Sequence, residues 1–197
     1  MANLRDLVLR NRSYRRFDES YRLERDTLVE LVGLARCTAS AANRQPLKYI
    51  LSADPETNER IFPCLAWAAY LRDWEGPAPG ERPTAYIVIL IDEQITRDWW
   101  CDDGIAAQTI LLGAAEQGLG GCMMGAINKD NLRKELRIPA HLLIRLVVAL
   151  GKPAEQVVIE DLEPGGDIRY WRDAEGVHHV PKRPLGEIIV DVGNLKD

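Results

Sequence analysis

One stretch restricts the fold of this chain more than any other. Across residues 103–117, Ile105, Ala106, Ala107, Ile110, Leu111, Leu112, Ala114 and Ala115 leave a helix with almost no polar face. A helix that is apolar all round has to be buried, inside a core or between two subunits. Its small residues Ala107, Gly113 and Ala114 let another backbone come close, and Gly118 and Gly120 are placed to end it. A chain of 197 residues is long enough to build such a core as one domain, 1–197.

The surrounding pattern predicts the rest. Leu28, Leu31, Val32 and Ala35 keep helical spacing within 23–37, and 4–10 reads as a shorter helix. Residues 84–91, rich in Ile, Val and Tyr between Pro83 and Asp92, read as a strand buried on both faces. Further strands are expected at 46–53, 122–127, 142–150 and 188–192, with a hairpin joining 168–172 to 177–180. A helix over 56–70 is interrupted by Pro63, a loop fills 71–83, and a short helix covers 130–136. Helices mixed with mainly hairpin-compatible strands make an α+β domain.

Composition excludes several classes of function. The net charge of −5 argues against a general nucleic-acid binder, which needs a basic surface. Gly, Pro and polar residues break every apolar run before bilayer-spanning length, so no membrane association is expected. The first residues lack the apolar core of a signal peptide, which makes the cytoplasm the default location. There Cys37, Cys64, Cys101 and Cys122, with no CxxC pair, are reduced thiols and small hydrophobes. His141, His178 and His179 are too few and too scattered for a metal site, and the adjacent His178 and His179 point to opposite faces of a strand. Arg12, Arg15 and Arg16 form a basic cluster in an acidic chain, either a solvated helix end or a pocket for one small anion.

Four short motifs, far apart in sequence, suit a single ligand. They are Arg12-Ser13-Tyr14-Arg15-Arg16-Phe17, Ser40-Ala41-Ala42-Asn43-Arg44-Gln45-Pro46, Gly118-Leu119-Gly120-Gly121-Cys122-Met123-Met124-Gly125, and Pro181-Lys182-Arg183-Pro184-Leu185. In this order they resemble the nitroreductase family of flavin mononucleotide (FMN) oxidoreductases over nearly the whole chain. The resemblance implies a central, mainly antiparallel sheet flanked by helices, with the buried central helix at a homodimer interface. It implies that Arg12, Ser13, Tyr14 and Arg15 approach the FMN phosphate and the pyrimidine edge of the ring, with Arg16 a competitor for Arg15's place. It brings Ser40, Asn43 and Gln45 to the flavin from the partner subunit, although Ala39 stands where the family has Pro. It aims backbone amides at Met124 and Gly125 towards flavin N5 and O4, and returns Lys182 and Arg183 to the phosphate. Residues 66–83 depart most from the pattern; Arg72 stands in for a family lysine or asparagine, and Trp67, Tyr70 and Trp74 are candidates to cover a ring.

The implied function is FMN-dependent reduction of a flat acceptor, such as a nitroaromatic, a quinone or an activated alkene. NADH or NADPH is the transient electron donor, and no side chain serves as nucleophile. Two alternatives stay open: a flavin-binding or flavin-storage protein without turnover, with the tryptophans of 67–74 covering N5, and a small anion- or nucleotide-binding module.

Overall fold

A computed structural model describes residues 3–190. The elements in chain order are α1 (Leu4–Arg10), β1 (Phe17–Asp18), α2 (Arg25–Arg36), β2 (Leu47–Ser52), α3 (Pro55–Ile61), β3 (Ala85–Asp92), α4 (Asp102–Glu116), β4 (Gly120–Met124), α5 (Lys129–Glu135), β5 (Leu142–Pro153), β6 (Val157–Asp161), β7 (Trp171–Arg172), β8 (His178–Lys182) and α6 (Leu185–Ile188). The sheet is organised on the 12-residue β5. Along one edge β5 pairs with β3, from Ala85 opposite Leu150 to Asp92 opposite Leu142, and β2 continues beyond β3. Along its other edge β5 takes β4 over residues 147–151 and β1 at Lys152 and Pro153. All of these pairs are antiparallel. A separate three-stranded sheet follows, with β8 between β6, which runs parallel to it, and β7, which runs antiparallel.

The strand expected to be buried on both faces is so buried. Ala85, Ile87 and Ile89 pack into one core with Leu28 and Leu31 of α2 and Ile110 and Ala114 of α4. Tyr86, Val88 and Leu90, pointing the other way, enter a second core with Ile61, Trp67 and Leu132. Each fully buried Ile, Val or Leu contributes about 1.5–3 kcal/mol, and β3 supplies such residues to both cores at once.

α4 lies where its composition demands, with Ala106, Ala107, Ile110 and Ala114 fully buried. Asp102 and Asp103 sit in its first turn, matching the positive end of the helix dipole. Its end is a Schellman turn. Gly118 takes a left-handed φ of +71°, and the Leu119 amide donates to Ala114 O at 2.8 Å. The small-residue face has a different use from a two-fold helix contact. A Cβ at Gly113 would lie 2.6 Å from Leu34 Cδ1 and 3.0 Å from Leu31 Cδ2, so α2 of the same chain already occupies that approach. The side of α4 left open carries Ile105 and Gln108 instead.

Other expectations need correction. Gly120 does not cap α4; it opens β4, and a Cβ there would lie 2.4 Å from Tyr14 Cδ2. The helix expected over 56–70 starts at Pro55, capped by Asp54 accepting from the Thr57 amide at 2.8 Å. It stops at Ile61: Phe62 keeps helical angles, but Pro63 has no N–H to donate back to Glu59 O, and a 3₁₀ turn, Phe62–Cys64, follows. The strand expected at 188–192 is absent as far as residue 190: Leu185–Ile188 is helical, and 191–192 lie outside the described residues. β1 and β6 were not expected at all.

Candidate functional site

The first motif leaves α1 as an extended segment held against β4. Ser13 bridges Gly121, and the Tyr14 amide donates to Gly121 O at 3.0 Å. Arg12 turns back, donating from its terminal nitrogen to Val8 O at 2.6 Å, while its Nε is buried without a partner. Burial lowers the Arg12 pKa. Tyr14 has a packing role: its hydroxyl donates to Arg10 O at 3.0 Å, its ring fills the space that Gly120 leaves, and burial raises its pKa.

The two candidate arginines separate clearly. Arg16 grips Glu81 with Nε at 2.9 Å and with a second, terminal nitrogen, which raises the Arg16 pKa. Arg15 faces the other way. Its guanidinium lies 4.8 Å from the centroid of the Tyr170 ring and 3.3 Å from His178 Nε2. Glu155, whose side chain is 1% exposed, fixes this turn. It accepts from the Arg15 amide, from the Arg16 amide at 3.0 Å, and from the Arg172 guanidinium at 2.9 Å.

β8 supplies the opposite wall through simple alternation. His178, Val180 and Lys182 face the cleft, while His179 faces away, held by Glu160 and by Asp173 at 3.1 Å. The cleft between β8 and the first motif has a volume of about 380 Å³. Arg12, Ser13, Arg15, Gln108, Met123, Tyr170, His178 and Lys182 line it, and among the described residues no carboxylate does. Three cations with no acid among the described lining residues give the cleft a positive potential that suits an anion. His178 stays neutral there: burial, then the Arg15 and Arg172 charges, push its pKa down to about 4.

The remaining predicted residues lie elsewhere. Arg183, one residue past the end of β8, is outside the cleft and paired with Glu187 on α6. The Met124 side chain is buried in the second core, whereas Met123 reaches the cleft, and Gly125 is exposed with open space around it. Trp67 is a core residue, edge-on to Trp74, which itself lies under Arg172, so neither is free to cover a ring. Tyr70 is exposed and packs on Tyr170, and Arg72 is exposed. Sequence reasoning passed over Tyr170, His178 and Glu155. The only available signal for His178 was its alternation with Lys182.

Ser40, Asn43 and Gln45 form a second, separate place, where Ser40 and Gln45 line a cleft of about 270 Å³. Ala42, Asn43 and Gln45 all take left-handed φ values, +50°, +53° and +52°, a strained arrangement for residues with a Cβ. Asp102 holds it: Ser40 Oγ donates to Oδ2 at 2.6 Å and the Ala41 amide to Oδ1 at 3.0 Å, and the Gln45 amide donates to Ser40 Oγ at 2.9 Å. Tyr49 borders the same cleft, with its pKa raised to about 12 by burial and by the Asp102 charge. One chain does not bring this loop to the Arg12–Arg15–Lys182 cleft. Among the described residues, no group of three His, Cys, Asp or Glu is placed to hold a metal, and no helix is long and apolar enough to cross a membrane.

An antiparallel sheet centred on β5, a buried helix α4 beside it, and an arginine-lined cleft at the sheet's β4 edge together define an α+β protein of nitroreductase architecture. The chain belongs to the nitroreductase family, whose model matches residues 8–152. It is 28% identical over 163 residues to a protein of Methanothermobacter thermautotrophicus provisionally named NADH dehydrogenase/NAD(P)H nitroreductase, covering 80% of this chain and 81% of that one. Among solved structures, an FMN-dependent nitroreductase of Clostridium difficile R20291 superposes with a TM-score of 0.62 at 22% identity, over 75% of this chain and 87% of that one. The gut-bacterial enone reductase CLA-ER superposes with a TM-score of 0.66 at 17% identity, over 79% and 91% of the two chains. At these identities the structural matches speak for the fold alone. β6, β7 and β8, with His178 and Lys182, lie beyond the residues that the family model matches.

Proposed function

We propose that the protein is an FMN-dependent NAD(P)H oxidoreductase, and that the cleft between the first motif and β8 takes the FMN phosphate and the adjoining flavin edge. The observation that carries the proposal is the donor set. Arg12, Arg15 and Lys182 meet without an acid, and two buried donors there, Arg12 Nε and His178 Nδ1, lack partners. Buried donors cost about 1–3 kcal/mol each when unpaired, and an oxyanion removes that cost. The volume also lies within the range of small-ligand sites. The names of the C. difficile structure and the M. thermautotrophicus relative support the same cofactor and donor.

FMN bound here would supply the redox chemistry, hydride transfer between NADH or NADPH and a flat acceptor. The chain binds and orients. Arg12 and Lys182 hold the phosphate, and Arg15, kept in place by Glu155 beneath its backbone, puts positive charge beside the pyrimidine edge. The Asp102-anchored loop, with Ser40, Asn43 and Gln45, completes the site of a partner subunit in a homodimer. The open side of α4 at Ile105, next to the exposed Leu4, Val8 and Leu9 of α1, is the apolar surface for that contact. A C₂ contact of this kind is self-complementary, and an obligate one buries more than roughly 2,000 Å². The storage alternative loses its main support, since Trp67 is in the core.

Purified protein is expected to be yellow, to release FMN on heating and to bleach anaerobically with NADH or NADPH. An acceptor panel of nitroaromatics, quinones and enones then ranks substrates. Protein that stays colourless after incubation with FMN and gel filtration refutes the reading.

A further inference from the structure

His178 stands out among the residues with no assigned role. It is 1% exposed, sits on the cleft wall, and belongs to a strand outside the residues matched by the family model. Its tautomer follows from its neighbours. The guanidinium of Arg15 has only donors, and its nitrogen lies 3.3 Å from His178 Nε2, so Nε2 accepts and the imidazole proton is on Nδ1. Nδ1 is buried and has no partner. The other groups around the ring provide none: Tyr170 meets it face to tilted face at 5.1 Å, and Arg172 bonds to Glu155. With its pKa pushed down by burial and by the two arginines, the ring keeps this single proton at neutral pH. A buried N–H donor without a partner, on the wall of a cleft with Arg12 Nε in the same condition, marks a place where a ligand oxygen belongs.

We infer that His178 is a ligand-binding residue of this cleft, donating its Nδ1–H to an acceptor oxygen of the bound molecule while Arg15 holds the ring through Nε2. The inference rests on the proposed flavin reading for the identity of the ligand, but not for the direction of the hydrogen bond. It gives the site a neutral donor whose position is set by the C-terminal sheet. His178 thereby adds directional recognition to the three cations, which attract any anion.

Two measurements test this. In the first, long-range ¹H–¹⁵N spectra of the imidazoles, assigned through a His178→Asn variant, are recorded for the protein alone and with FMN, riboflavin or inorganic phosphate. The expected pattern is an Nδ1–H tautomer at His178 whose Nδ1 signal moves on ligand addition. Movement with FMN and riboflavin puts the bond at a ring oxygen; movement with FMN and phosphate puts it at the phosphate. An Nε2–H tautomer, or a signal unmoved by all three ligands, overturns the inference. In the second, FMN affinity is measured by flavin fluorescence. His178→Phe is expected to weaken binding by roughly 10- to 100-fold, the scale of a lost hydrogen bond to a charged or strongly polar group. His178→Asn, which keeps a donor near the Nδ1 position, is expected to recover most of it. A folded Phe variant with wild-type affinity, or equal losses in Phe and Asn, would mean that the ring only packs. If wild-type protein takes up neither FMN nor riboflavin, the flavin reading fails separately, and the phosphate spectra alone decide the role of His178.

Discussion

Glu155 offers the sharpest test of how the cleft is built, because one buried carboxylate serves three donors. In Glu155→Ala, the amides of Arg15 and Arg16 lose their shared acceptor and Arg172 loses its ion-pair partner. Each amide left unpaired costs about 1–3 kcal/mol, and removing one partner of a buried ion pair costs about 3–5 kcal/mol. These losses overlap, and the Arg172 side chain keeps 14% exposure through which water enters. A total of about 3–5 kcal/mol is therefore expected. For a chain of this length that lowers Tm by roughly 6–20 °C. The assay is urea and thermal unfolding of flavin-free wild type, Glu155→Ala and Glu155→Gln. The Gln variant is expected to lose less, because its amide oxygen still serves the two backbone donors while its NH₂ faces Arg172. Combining Glu155→Gln with Arg172→Met is expected to restore part of the loss by removing the stranded charge. An Ala variant within about 1 kcal/mol of wild type would refute the idea that this carboxylate holds the turn.

Lys182→Ala and Arg12→Ala are each expected to weaken FMN binding by about 1.5–3 kcal/mol, whereas Arg183→Ala leaves it unchanged; fluorescence titration of the three variants distinguishes them. Gly121→Ala puts a Cβ 2.4 Å from the Ala149 carbonyl oxygen, which cannot swing aside, so it is expected to cost about 1–3 kcal/mol in urea unfolding. The neighbouring histidines are expected to give opposite pH dependences of stability. His179 has a raised pKa, chiefly from its hydrogen bond with Asp173. Its stabilisation is complete below the unfolded value near 6.5 and is lost as pH rises through the folded one, so His179→Gln flattens the curve above pH 6.5. His178 has a pKa depressed to about 4, so the unfolded chain binds the extra proton between about pH 4 and 6.5 and stability rises with pH there; His178→Asn removes that slope. Sedimentation of flavin-loaded protein at low micromolar concentration is expected to show a dimer, and a stable yellow monomer would refute the shared site.

The parts legible in the sequence were those where one local rule acts without competition. The apolar run at 103–117 could only be a buried helix, and the Ile- and Val-rich run at 84–91 could only be a central strand. What the sequence hid were choices between partners. Ala107, Gly113 and Ala114 announce a close neighbour, but nothing local says whether it is α2 or a second copy. Arg15 and Arg16 are equivalent as text, and only distant partners separate them: Glu81, 65 residues from Arg16, and His178, 163 residues from Arg15. β6 escaped notice because Val157–Asp161 is short and pairs in parallel with a strand 21 residues further on. Ile188 to Val190 look like a strand because they are β-branched, yet Pro184 starts a turn of helix that runs through Ile188. The cleft's cations were legible as types, but Lys182 faces the cleft through the alternation of β8 while Arg183 falls past the strand's end beside Glu187, which required knowing the strand first.

Because Arg12 and Lys182 face each other across the cleft, the first and last residues of this receptor are made at very different times. A ribosome adding about 5–20 residues per second needs roughly 10–30 seconds to pass from one to the other. The strands of the antiparallel sheet are all made once β5 ends at Pro153, and at that point one wall of the cleft has not yet been translated. The cleft therefore cannot be complete before β8 is made. A chain released early, after β5 but before β8, would be a nearly complete fold with half a receptor. Under the flavin reading proposed above, colour in a preparation counts chains complete through β8.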